Sequence, residues 1–132
     1  MKVIDFLKNA KVFHIATADG NQPHVRPIGF VMDYEGKLAF YSDNRKKMFK
    51  QLQANPKAEI CALDEKFNIF CLQGTVKFIT SEANQKAALE TMLMFAKMGY
   101  AVGEGPFEIY TIDNVKIFLT SMVGKKLDDI EL

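Results

Sequence analysis

Tryptophan is absent from this sequence, and cysteine, histidine and proline are scarce at two, two and four residues. Two thiols, Cys61 and Cys71, cannot staple a secreted disulfide scaffold, and their spacing fits neither a CxxC motif nor a zinc site. They stand in apolar runs, Glu59-Ile60-Cys61-Ala62-Leu63 and Ile69-Phe70-Cys71-Leu72, which predicts two buried, unpaired and inert thiols; their strands flank one short turn, so the two can lie near each other, with an opportunistic disulfide as the alternative. His14 and His24 cannot close a metal site without carboxylates at matching intervals, and the carboxylates are scattered singly. Charge of one sign is missing too. Lys and Arg number 17 against 16 Asp and Glu, a net +1, so neither a nucleic acid nor an anionic membrane is an expected partner. The longest uncharged stretch, Phe67 to Val76, falls far short of the roughly 20 residues that span a bilayer. Lys2, Asp5, Lys8 and Lys11 interrupt any apolar leader core, so a cytoplasmic protein is the expectation.

What the sequence does have is an ordinary globular balance: 132 residues, 48% hydrophobic and 25% charged. That length makes one domain, residues 1–132, with a single adequate core. Val3, Ile4, Leu7 and Ala10 fall at helical spacing. Lys11 to Ala18 reads as a strand, Asp19-Gly20-Asn21 as a turn, and His24 to Met32 as a second strand. Asp33-Tyr34-Glu35-Gly36 is a hairpin signal leading into a strand from Lys37 to Ser42. Met48, Phe49 and Leu52 make a helical stripe, with Asp43 or Asn44 as its N-cap and Asn55-Pro56 as its end. Ala58 to Leu63 and Phe67 to Ile79 are two further strands, and Gly74 inside the second signals a bulge or a close backbone approach. Thr80-Ser81-Glu82 opens a helix to about Lys97 with Leu89, Met92, Leu93 and Ala96 as its apolar face. Phe107 to Ile112 and Val115 to Thr120 read as a last hairpin around Asp113-Asn114. The pattern predicts a mainly β chain with flanking helices, folded as a small antiparallel barrel.

No HExxH, GxSxG, GxGxxG or P-loop motif is present. The residues that attract attention are Pro23-His24-Val25-Arg26-Pro27-Ile28 and Tyr41-Ser42-Asp43-Asn44-Arg45-Lys46-Lys47. Pro27 cannot donate to a ladder, so it frees a neighbouring strand's carbonyl or marks an edge. Cations crowded at a helix start oppose the helix dipole unless an anion sits among them. A phosphate held by Ser42, the helix amides and Lys46 or Lys47 satisfies that condition. The alternative is a solvated helix face. One hairpin between the two strands would place the two polar clusters side by side.

In these residues the chain resembles the pyridoxamine 5′-phosphate oxidase-like, FMN-binding split-barrel superfamily. The pattern runs His14-Ile15-Ala16-Thr17, Gly20, Pro23 to Ile28, Leu38-Ala39-Phe40-Tyr41-Ser42, Lys46 to Leu52, Asn55-Pro56, and Leu72-Gln73-Gly74-Thr75-Val76. It covers most of the chain from Lys11 onward and is most similar to the small general-stress and nitroimidazole-resistance-type flavoproteins. The resemblance implies a split β-barrel and a homodimer with FMN at the subunit interface. Arg26, Pro27 and Ile28 would then hold the flavin ring and ribityl edge. Tyr41 and Ser42 would line the path to the phosphate, and Asn44, Lys46 and Lys47 would bind it. True pyridoxamine phosphate oxidases carry Trp, Arg and His near the C-terminus. This chain has no Trp and ends Gly124-Lys125-Lys126-Leu127-Asp128-Asp129-Ile130-Glu131-Leu132, so oxidation of vitamin B6 is not what the resemblance implies.

The function expected on that basis is an FMN-dependent oxidoreductase acting on a small molecule, with an electron donor such as NAD(P)H. Two alternatives stand beside it: a non-catalytic flavin- or haem-binding module serving as sensor or store, and a structural dimer with a degenerate pocket.

Overall fold

The computed structural model describes residues 1–132. In chain order the elements are α1 (Val3–Ala10), β1 (Phe13–Asp19), β2 (Gln22–Ile28), β3 (Met32–Tyr34), β4 (Lys37–Asp43) and α2 (Lys47–Ala54). There follow β5 (Lys57–Leu63), β6 (Ile69–Phe78), α3 (Glu82–Thr91), α4 (Met94–Lys97) and β7 (Phe107–Thr120). All seven strands belong to one sheet in the order β2-β1-β5-β6-β7-β4-β3, and every pairing is antiparallel. The sheet curls but does not close, because β2 and β3 are both edges. This is the split barrel that the alternating strands and tight turns imply.

Period-2 alternation sends one side of each strand inward. Phe13 and Ile15 of β1, Phe40 of β4, Ile60 of β5, Phe70 and Leu72 of β6 and Tyr110 of β7 meet in a single core, joined by Phe6 and Leu7 of α1 and Leu52 of α2. A second, smaller core lies on the other side of β4 and β7. There Phe30, Met32, Ala39, Phe107 and Ile109 meet Ala88 of α3, Phe95 of α4 and Tyr100.

Several sequence expectations need correction. The strand expected from His24 to Met32 is broken at Gly29–Val31, and β3 starts afresh at Met32. The cause is packing. Phe30 belongs to the small core and Val31 to the large one, so the chain crosses between them there. The hairpin expected at Asp113-Asn114 does not exist. β7 runs straight through, with Asn114 at a φ of 53°, and β6 pairs along both of its halves. The bulge expected at Gly74 is present as a register shift between Gln73 and Thr75, which absorbs that kink.

The long helix expected to Lys97 stops at Thr91, where Met92 turns extended, and α4 is a separate turn. Leu93, expected on the apolar face, is 76% exposed. Polar residues are buried instead. Asn84 closes a capping box with Ser81, and Gln85 bonds the backbone of Phe107 and Gly103. The glycine loop after α4 is thereby tied to α3.

Cys61 and Cys71 are also not where the sequence places them. They are half-buried on the outer side of the sheet, directly opposite each other on β5 and β6. Inward-facing Ile60, Ala62, Phe70 and Leu72 account for the apolar look of both runs. No helix is long and apolar enough to cross a membrane.

Candidate functional site at the start of helix α2

Arg26 and Ser42 are not brought together by a hairpin. β2 pairs only with β1, whereas β4 pairs with β3 and β7. The two strands lie near opposite ends of the sheet. Helix α2 makes the link. It leaves the end of β4, packs over β1 and buries Gln51 and Leu52.

Gln51 is the joint. Its Oε1 accepts from Thr17 Oγ1 at 2.7 Å and from Arg26 Nη2 at 2.9 Å. Arg26 Nη1 donates to Thr17 Oγ1 at 2.8 Å. Burial draws the Arg26 pKa below its ordinary value, and neighbouring Tyr110 opposes that. The group stays cationic, since a guanidinium does not lose its proton in proteins. The result is a partly buried cation fixed in direction by two buried oxygens. The Tyr110 hydroxyl, fully buried and pushed up by that burial, has no hydrogen-bond partner.

Sequence reasoning missed Thr17 and Gln51. A signal existed for both. Thr17 continues the inward alternation of Phe13 and Ile15, and Gln51 interrupts the stripe of Met48 and Leu52. A polar residue at a core position needs a partner.

At the helix start, the expected cap is corrected. Neither Asp43 nor Asn44 caps α2. Lys46 occupies the N-cap without a side-chain cap, and Asp43 turns the other way. Asp43, 2% exposed at its side chain, accepts from the Arg45 amide at 2.9 Å, from Arg45 Nη2 at 2.7 Å and from Tyr100 Oη at 2.8 Å. The Arg45 guanidinium bond, with the Arg45 amide and Tyr100 adding to it, holds the Asp43 carboxyl far below the usual range against the opposing effect of burial. Asn44 is also committed. Its Nδ2 donates to Gly105 O and Glu108 Oε2, both at 2.8 Å.

What remains free at this corner is informative. Lys46 and Lys47 are exposed and enter no salt bridge or hydrogen bond through their side chains. The first turn of α2 contains no acidic residue, and the amides of Lys47, Met48 and Phe49 meet no oxygen. Ser42, buried at the end of β4, brings a hydroxyl to the same corner. Unpaired donors and cations of this kind suit an anion, and the nearest carboxylates, Asp43 and Glu108, are engaged by Arg45 and Asn44.

The other sequence-derived residues lie elsewhere. Tyr41 faces the opposite side of β4 from Ser42, packed among Phe95 at 4.5 Å, Tyr100 at 5.8 Å and Phe30 at 6.1 Å between ring centroids. Pro27 is exposed on the edge strand, and Ile28 is half-buried against the main core. The largest cavity, about 750 Å³, lies between α1, the β5–β6 turn and Asp129-Ile130, and contains none of the expected site residues.

Asp43 gives a testable consequence. A carboxyl depressed in the folded state stabilises fully above its unfolded value near 3.8, and that stabilisation is lost as pH falls through the folded value. Asp43→Asn should cost about 2 kcal/mol at neutral pH, the scale of a charged buried hydrogen bond. The gap between variant and wild type in urea unfolding should narrow as pH drops below about 4. A gap that stays constant across that range would remove Asp43 as the ionised anchor of this corner.

Comparison with known proteins places the chain in a family. Residues 2–120 match the family model for pyridoxamine 5′-phosphate oxidase. A NimC/NimA family protein from Clostridium acetobutylicum is 36% identical, with 93% of this chain and 88% of that one aligned at a TM-score of 0.86. The chain belongs to the pyridoxamine 5′-phosphate oxidase family. A pyridoxamine 5′-phosphate oxidase-related, FMN-binding protein from Nostoc punctiforme shares the fold at 21% identity and a TM-score of 0.66, over 87% of this chain and 76% of that one. So does an FAD-binding protein from Mesorhizobium loti, at 16% identity and a TM-score of 0.60, over 86% and 87%. No curated protein matches the chain in sequence.

Proposed function

We propose that this protein is a flavoprotein that binds FMN and uses it to reduce or oxidise a small molecule. The observation that carries the reading is the start of α2: free amides, two unpaired lysines and a buried hydroxyl, with the neighbouring Arg45 already neutralised. That donor set suits a terminal phosphate monoester. Lys46, Lys47 and Ser42 would hold the phosphate, and Arg26, aimed by Thr17 and Gln51, would face the ring or ribityl edge with Pro27 and Ile28 beside it. Tyr41 would act through packing, by seating the end of β4 against Phe95 and Tyr100. Asn44 would act similarly, by tying the glycine loop to that end.

The flavin would supply the redox chemistry, which explains a site without a protein nucleophile or acid–base pair. The chain's own part is to bind, orient and screen. One copy provides the phosphate corner without an apolar slot for the ring, which supports a homodimer that completes the site. Leu63, Phe67, Ile69 and Phe118 at one end of the outer sheet face, and Leu93, Met94 and Met98 around α4, are exposed apolar groups that a second copy could cover. NAD(P)H is the proposed electron donor.

The test is the visible absorbance of the purified protein, followed by release and identification of the bound nucleotide. FMN, with bleaching on NAD(P)H addition and recovery when an acceptor such as a quinone or nitroaromatic is supplied, supports an oxidoreductase. FMN without turnover supports the sensor or store. Absence of any flavin after reconstitution would sink the reading.

A further inference from the structure

Two buried hydroxyls have no hydrogen-bond partner, Tyr110 Oη and Thr111 Oγ1. Tyr110 is sealed inside the main core. Thr111, 3% exposed, instead lines a cavity of about 330 Å³ beside the small core. The strand register explains its place. Met32 of β3, Ala39 of β4, Thr111 of β7 and Lys77 of β6 stand in one row across the sheet. Met32 and Ala39 belong to the small core, so this row faces the side that α3 covers. Its other end turns polar, and Lys77, directly opposite Thr111, is exposed.

The protein does not complete the Thr111 hydroxyl because the nearby polar groups are spent. Ser81 and Asn84, on the cavity wall, bond each other in the capping box, and Asn84 Nδ2 donates to Ile79 O at 2.7 Å. Lys37 reaches Asp113, at 3.8 Å. Lys77, Tyr34 and Glu35 complete the polar lining, and their side chains enter no hydrogen bond or salt bridge. A buried hydroxyl without a partner forfeits stability, which a ligand that accepts from it restores. The cavity lies at the far end of β4 from Ser42. None of its lining residues belongs to the exposed apolar groups that a second copy could cover.

We propose that this cavity binds a small monocarboxylate, with Thr111 Oγ1 and Lys77 Nζ donating to its oxygens and Tyr34 and Ile79 beside its short apolar body. Hydrogen bonds to an ionised acceptor are the strong kind. Thr111 Oγ1 is closed to water, so the flexible Lys77 side chain swings aside as the carboxylate enters and then closes on it. One free cation matches one negative charge. Glu35 on the rim and Asp113 beside Lys37 disfavour a dianion such as phosphate. The volume is at the small end of the range that holds ligands, which suits a body of a few carbons.

The experiment is titration of the purified protein with sodium propionate at constant ionic strength, read by amide NMR shifts. Propionamide, which is neutral, and inorganic phosphate are titrated in parallel. Propionate should give saturable shifts at Tyr34, Lys77, Thr111 and their sheet neighbours, and the other two compounds should give none there. Thr111→Val should weaken propionate at least about tenfold and yet raise the urea midpoint, because it deletes a hydroxyl without a partner and keeps the side-chain shape. Lys77→Met should weaken propionate by a similar factor and leave the midpoint unchanged, since it removes only an exposed charge. Propionate without saturable shifts at these residues overturns the proposal. Equal shifts with phosphate do the same, as they would report general attraction to surface lysines. So does a Thr111→Val protein with a lowered midpoint, which would mean that an ordered water or a protein group already satisfies the hydroxyl.

Discussion

Lys46→Ala combined with Lys47→Ala should weaken FMN binding between about tenfold and a few hundredfold, and riboflavin binding hardly at all. The estimate follows from charge-assisted hydrogen bonds worth roughly 1.5–3 kcal/mol, at about 1.4 kcal/mol per decade of affinity. Riboflavin lacks the phosphate and so does not engage this corner. Both lysines are exposed and without partners, so their removal should leave the stability of the apo-protein within about 0.5 kcal/mol of wild type. A loss of affinity therefore reports on the ligand and not on folding. Parallel titrations of apo-protein with the two flavins decide the matter. Equal FMN affinity in both proteins would return Lys46 and Lys47 to an ordinary solvated face, for which exposed charges contribute little.

Gly74→Ala should destabilise the protein by about 3 kcal/mol, at the upper end of what overpacking costs. A Cβ built at Gly74 would stand 2.7 Å from the carbonyl oxygen of Asp113 and closer still to Ile112 Cγ2. A side chain could rotate away, but the Asp113 carbonyl belongs to the next strand of the ladder and cannot retreat without opening β6 from β7. The entropic benefit of replacing glycine, roughly 0.4–1 kcal/mol, is too small to offset the clash. Urea unfolding of the two proteins measures the difference. Gly74→Ala with wild-type stability would mean that the β6–β7 bulge relaxes freely. The bulge then could not be what lets β7 run unbroken past Asn114.

These two effects fall on features that differ in how legible they were. Gly74 announced itself as a glycine inside an apolar strand, although which backbone approaches it was not readable. Lys46 and Lys47 stood out as cations crowded at a helix start, yet so would a solvated helix face. The distinction came from what their neighbours do. Arg45 is spent on Asp43, Asn44 on Glu108 and Gly105, and no side chain caps the start of the helix. The Asp43–Arg45 pair is local, but the partners of Asn44 lie more than sixty positions away and have no sequence signature.

The sequence by itself determined the inward alternation of the strands, the missing ladder donor at Pro27, the helix start at Thr80-Ser81-Glu82 and the irregularity at Gly74. All are local, because side-chain period, proline's missing donor and glycine's missing Cβ act over a few residues. It also carried the family, through short motifs in a fixed order. Tertiary structure decided the rest. It split His24–Met32 at the crossing between two cores and merged the supposed last hairpin into β7. It set Arg26 and Ser42 on strands near opposite ends of the sheet, then reconnected them through Gln51. It also turned Cys61 and Cys71, whose strands flank one short turn, to the half-buried outer side of the sheet. Pairing between strands depends on which faces must be buried together, and that is a property of the whole sheet rather than of any one segment.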